Sequence, residues 1–272
     1  MGKPILLLRL EGPLQSWGIR SRWSKRDTGP EPTKSAIIGL LGCAAGILRP
    51  DWHAGKAPDR TLEKWDEELL FGVRVDRPGV IETDYHTVEG RMWQADGGLK
   101  TASSKSGTRY DKAMLEPPRT EETWREYVHD AAFLIGLLQK DGGREQLDKF
   151  ADDLQNPKWS PYLGRKACLP SRPPFERVTE DHPTLKEALM SEPWSAPRQM
   201  DLLRCSFRRQ GSGPCNACSK FGPPGQLVAW IEDPTGDYER ADALRLNQLR
   251  FYDNRSCHRI SVPTAGLRWS IR

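Results

Sequence analysis

The first apolar run, Pro4 to Glu11 (PILLLRLE), stops at Gly12-Pro13 and is short enough for a buried strand. Apolar positions then recur at helical spacing from Thr33 to about Leu48, through Ile37, Ile38, Leu40, Leu41, Ala44 and Ala45. Thr33 or Ser35 is the expected N-cap. Gly39, Gly42 and Gly46 lie within this stretch, and each costs a helix about 1 kcal/mol against Ala, so they point to close packing on a sheet or on an RNA backbone. A short helix is expected over 61–69 and a second strand over Leu70–Val75 (LFGVRV). Tyr127–Leu138 is a third apolar segment, and periodicity does not decide between helix and strand. Arg144–Leu154 reads as an amphipathic helix, followed by the Gly-centred turn Pro161–Lys166. Leu227–Glu232 and Leu244–Tyr252 are further candidate strands.

Residues 77–119 break the pattern, with Gly97-Gly98, Pro117-Pro118 and many polar residues. A structureless loop of this length is improbable inside a compact domain, so the segment is expected to be a protruding arm, partly β-ribbon. Strand, helix, strand, insertion, strand, helix and a turn into a strand give a βαββαβ order. The expected class is α+β: a ferredoxin-like or RNA-recognition-motif core over 1–174 with 77–119 as an inserted thumb, and a less regular C-terminal lobe over 175–272.

Composition narrows the partners. Of 272 residues, 37% are hydrophobic and 29% charged, and 24 Gly and 22 Pro imply many turns. The net charge of +4 is modest, so local basic clusters carry more information than the total. No run of apolar residues is long enough to span a bilayer, and the first residues lack a signal-peptide pattern; the chain reads as cytosolic. Six Cys then read as thiols or metal ligands rather than disulfides. Cys215 and Cys218 form one C-x-x-C, with Cys257-His258 further on. A zinc ribbon shows two such knuckles, so these four are a weak structural-zinc set beside a free-thiol loop, and no cofactor is expected. Cys43 and Cys168 read as small buried hydrophobes.

The motifs LLLRLEGPLQSWG (Leu6–Gly18), RDTGPEPTKSAIIGLLGCAAG (Arg26–Gly46), DYHTVEG (Asp84–Gly90) with ADGG (Ala95–Gly98), YVHDAAFLIGL (Tyr127–Leu137) and PYLGRKACLPSRP (Pro161–Pro173) resemble the CasD-type family of type I-E CRISPR Cascade. The resemblance covers about residues 4–174; Arg240, Asp242, Arg250, Arg255, Arg259 and Val262-Pro263 fit its usual ending. It implies a non-catalytic subunit that binds the 5′ handle of the guide RNA (crRNA). Such a subunit contacts the large subunit and the first backbone subunit, and meets target DNA in the assembled antiviral ribonucleoprotein. The family's thumb passes through the guide–target duplex and flips out a nucleotide.

The residues offer chemistry for such a partner. A single-stranded RNA is held by cations and amides on phosphates and by aromatic rings on bases. Arg20, Arg22, Lys25 and Arg26 form the densest basic run, a phosphate-contact candidate beside the plain reading of a solvated face. Thr33, Lys34 and Ser35 open a helix, an anion site or simple capping. Gln15, Ser16 and Trp17 follow the first strand, where Trp17 either stacks on a base or packs in the core. Gly164, Arg165 and Lys166 resemble the family's glycine loop, or form an ordinary turn. In the thumb, Tyr85, His86, Arg91, Trp93 and Arg109 mix aromatic and basic types. The alternative is a metal-independent endoribonuclease acting on CRISPR repeat RNA, for which His86 beside Tyr85 is the best catalytic candidate.

Overall fold

A computed structural model of the chain describes residues 2–20, 24–48, 60–90, 119–195, 225–244, 252–264, 267 and 269–270. The strands are β1 (Ile5–Gln15), β2 (Lys25–Arg26), β3 (Leu69–Arg77), β4 (Val80–Gly90), β5 (Arg119–Gln139), β6 (Phe175–Thr179), β7 (Trp194–Ser195), β8 (Gln226–Glu232), β9 (Tyr238–Leu244), β10 (Tyr252–Pro263) and β11 (Trp269–Ser270). The helices are α1 (Lys34–Ala45), α2 (Thr61–Glu68), α3 (Glu145–Gln155) and α4 (Leu185–Ser191).

The molecule is a mixed α/β structure dominated by one antiparallel sheet, ordered β6-β1-β5-β3-β8-β10-β9. β1 reads as an unbroken apolar run because both of its faces are covered. Leu6, Leu8 and Leu10 enter the cluster that contains α1 and α3, while Ile5 and Leu7 enter the opposite one with Leu185 and Leu189 of α4. The undecided segment Tyr127–Leu138 is strand: its register with β1 runs from Ile5↔Leu138 to Gln15↔Val128.

β5 is 21 residues long and does two jobs. Its second half lies between β1 and β3. Its first half forms a ribbon with β4, from Val80↔His129 to Gly90↔Arg119, and β2 flanks its other edge at Trp124 and Arg125. The arm foreseen over 77–119 therefore begins as a ribbon, whose returning strand extends to His129. Between the two halves sits Asp130, a non-glycine residue at φ 53°, whose carbonyl accepts from Arg77 Nε at 2.6 Å.

α1 starts one residue after Thr33, whose hydroxyl accepts from Ala36 N at 3.3 Å. It ends at Gly46, left-handed at φ 75°, a conformation that suits a residue without Cβ. The expected helix to Leu48 is thus three residues too long.

The C-terminal strands do not stand apart. β8 pairs with β3 at Gly72↔Ile231 to Val75↔Val228, and β10 joins β8 to β9. The expected strand Leu244–Tyr252 instead falls across two elements: Leu244 closes β9, Tyr252 opens β10, and 245–251 lie outside the described residues.

Two buried ionic clusters fasten the layers. Asp76 Oδ2 accepts from Arg9 Nη1 (3.2 Å), Arg74 Nη2 (3.1 Å) and Ser195 N (2.9 Å). Arg74 also donates to the carbonyls of Leu189, Glu192 and Pro193, satisfying the open end of α4 and holding it on the sheet. In the second cluster, Lys34 Nζ reaches Glu232 of β8 at 2.9 Å and the carbonyls of Asp66 and Leu69. Lys34 N donates to Asp242 Oδ2 of β9 at 2.9 Å, and Arg255 grips the same carboxylate.

Candidate nucleic-acid interface

A cleft of about 870 Å³ opens where three separate stretches of chain meet. The end of β1 supplies Ser16 and Gly18; α1 and its cap supply Thr33, Ser35 and Gly39; the loop after α3 supplies Trp159, Tyr162, Gly164 and Lys166. Hydrogen bonds hold this convergence. Ser16 N donates to Leu163 O at 3.0 Å, and Gly164 sits at φ 89° with its Cα against the Ser16 carbonyl, where a Cβ would overlap that oxygen. Only glycine fits. Gly39 faces open space on the exposed side of α1, so the helix backbone is accessible to a ligand there.

Arg165 acts on the scaffold. Its Nη1 donates to Glu126 O and its Nη2 to Arg26 O, each at 2.9 Å, and the guanidinium lies 4.6 Å from the Tyr127 ring centre. It thereby ties the glycine turn to β2 and β5. Lys166 is exposed at the cleft, and Lys25 is exposed on β2. Arg26 is half-buried, and Arg20 is exposed with a loose contact to Asp27 at 3.9 Å. Cys43, expected to be buried, is only half-buried and lines the cleft. Burial pushes its thiol up, while nearby Lys166 pulls it the other way.

Several sequence candidates are structural instead. Trp17 is 1% exposed and meets Phe133 edge-on with ring centres 6.4 Å apart, so the core reading holds and base stacking does not. Gln15 is fully buried, and its amide donates to Ala131 O at 2.8 Å while its Oε1 accepts from Trp17 Nε1. Lys34 is 1% exposed with its ammonium on Glu232, so its side chain does not reach the cleft. Burial pushes its pKa down and Glu232 opposes that shift. The first amide of α1, an expected anion donor, is already taken by the carboxylate of Asp242. The hydroxyl oxygen of Thr33 accepts from the Ala36 amide as a cap and lies 3.3 Å from the Ser35 hydroxyl.

On the ribbon, Tyr85 and His86 are neighbours in β4 and so point to opposite faces. Tyr85 pairs across with Trp124; His86 pairs with Thr123 and holds Asp84 at 2.8 Å. This separates the two members of the nuclease candidate. Arg22, Arg91, Trp93, Arg109, Cys215 and Cys218 lie outside the described residues. Cys257 and His258 alternate along β10, one buried and one half-exposed near Asp233 and Asp237, so they do not converge on one ion. Trp159, Tyr162, Leu169 and Tyr252, which also line the cleft, were missed by sequence reasoning. The signal for the first two was present: aromatic residues directly ahead of the basic glycine turn.

Three comparisons bear on this arrangement. The family model described as CRISPR-associated protein (Cas_Cas5) matches residues 5–242. "CRISPR system Cascade subunit CasD" of Escherichia coli (strain K12) is 32% identical over 191 residues, covering 69% of this chain and 77% of that protein. A solved chain titled "CRISPR RNA-guided surveillance complex" superposes with a TM-score of 0.63 at 27% identity, covering 97% of this chain and 92% of that one. Another, "Crystal structure of Cas protein", gives 0.59 at 30% identity, with 97% of each chain covered. The chain belongs to the CRISPR-associated Cas5 family and is similar to its CasD members.

Proposed function

We propose that this chain is a non-catalytic subunit of a type I-E CRISPR Cascade complex and holds the single-stranded 5′ handle of crRNA in the cleft between α1, the end of β1 and the glycine turn. The observation that carries the reading is the convergence of those three stretches on one open cleft, with Lys166 at its rim and the backbone of Gly39 exposed. A cation, exposed backbone and the rings of Trp159, Tyr162 and Tyr252 are the groups an unpaired RNA strand uses. The sheet order β6-β1-β5-β3, with α1 and α3 in the two crossovers, supports reading the core as ferredoxin-like. In the complex, the ribbon and the outer surface would meet the large subunit and the first backbone subunit, with target DNA alongside.

The test uses the full chain and a single-stranded RNA copied from the repeat-derived handle. The variant Lys166→Ala is expected to bind severalfold more weakly at low salt, with a shallower dependence of affinity on salt. Equal slopes for both proteins would remove Lys166 from the interface. Repeat RNA incubated with the chain in chelator is expected to stay intact; a defined cut would favour the endoribonuclease reading.

A further inference from the structure

The two faces of the β4–β5 ribbon differ in chemistry. Cross-strand partners share a face, so the register puts Tyr85 beside Trp124, Thr87 beside Glu122, Glu89 beside Thr120, and Thr83 beside Glu126 on one side. The opposite side holds Arg125 and Tyr127, and the guanidinium of Arg165 lies over Tyr127. The first side is open: Tyr85 is 52% exposed, Trp124 39% and Ile81 43%. Its two rings are in contact, with centres 5.4 Å apart, and the nearby Glu122 carboxylate holds the Tyr85 hydroxyl above its ordinary pKa. Glu122 is exposed next to them and Glu89 is exposed further along the same face, and among the described residues Lys25, opposite Trp124 on β2, is the cation that borders this patch.

We infer that the Tyr85–Trp124 face of the ribbon is a docking surface for a cationic protein segment, one presenting Arg or Lys side chains, and not for nucleic acid. A carboxylate next to an aromatic ring repels phosphate but suits a guanidinium, which lies on the ring face while pairing with the acid. This chain already uses that combination internally. Arg240 lies 5.3 Å from the Trp230 ring centre while its Nη1 pairs with Glu31 at 2.7 Å. On the ribbon the ring and the acid are in place and the cation is the part a partner would bring.

The test measures binding of two labelled probes to the full chain: a short arginine- and lysine-rich peptide and a polyuridine oligonucleotide. Peptide affinity is expected to fall about fivefold in Glu89→Gln/Glu122→Gln and about tenfold when Tyr85→Ser is added, since exposed charge and ring contacts each contribute modestly. Tyr85→Phe/Trp124→Phe, which keeps both ring faces, is expected to retain peptide binding. Lys166→Ala is expected to weaken the oligonucleotide alone, so a failure here is distinguishable from a failure of the RNA-cleft reading. Peptide affinity unchanged by the glutamine and serine substitutions would overturn the inference. So would a photo-crosslinker at position 85 that attaches to the oligonucleotide and not to the peptide.

Discussion

At the scale of single residues, burial decided which chemical groups are available. Lys34 looked like a cation at a helix start, yet its ammonium lies among Glu232 and two carbonyls. Removing one partner of a buried pair leaves the other uncompensated, so Lys34→Ala is expected to cost about 3–5 kcal/mol in urea unfolding. Gly164 has the opposite character: it is exposed, but its φ of 89° and the Ser16 carbonyl exclude any side chain. Gly164→Ala is expected to cost about 3 kcal/mol and to lower RNA affinity, because the turn must move off Ser16. Asp66 gives a pH signature. Burial pushes its carboxyl up, with the nearby Lys34 cation opposing, and its Oδ1 has no hydrogen-bond partner. A carboxyl whose folded pKa is raised binds more protons folded than unfolded. Its contribution is therefore fullest below the ordinary carboxylate range and is lost as pH rises through the raised value. Asp66→Asn is expected to flatten that part of the stability–pH curve, read from melting temperature across acid to neutral pH.

Among the elements, pattern alone located α1, α2, α3, β1, β3 and β8 to within a few residues. The apolar run of β1 and the spacing of Ile37, Ile38, Leu40 and Leu41 are local signals. β5 has no alternation to read, because a strand buried on both faces is apolar throughout; the βαββαβ order alone put a strand at Tyr127–Leu138, and its register with β1 and β3 shows that it is one. Its extension into the ribbon passes through Asp130 at a positive φ that no residue pattern announces. Capping chemistry was legible. Thr33→Ala is expected to cost about 1 kcal/mol, measured by denaturant unfolding, since it removes the side-chain oxygen that shares the Ala36 amide with the Thr33 carbonyl.

For the whole molecule, the C-terminal strands are part of one sheet with the core. β8 covers the edge of β3, and its Glu232 neutralises Lys34 and accepts from Phe71 N at 3.1 Å. A chain cut after residue 195 is therefore expected to aggregate or to be degraded in limited proteolysis rather than to fold as an RNA-binding core, because an open strand edge and a buried cation would be left behind. The sequence by itself determined the family and the order of strands and helices from β1 to β6, since each rests on local pattern or on motif strings that survive without coordinates. Only the tertiary structure decided which residues could meet a ligand. Trp17, Gln15 and Lys34 lie in the same motifs as Ser35 and Gly39, yet the first three face inward and the other two line the cleft. Which way a side chain points depends on partners far along the chain, such as Asp242 for α1 and Ala131 for Gln15, and spacing along the sequence does not encode those distances.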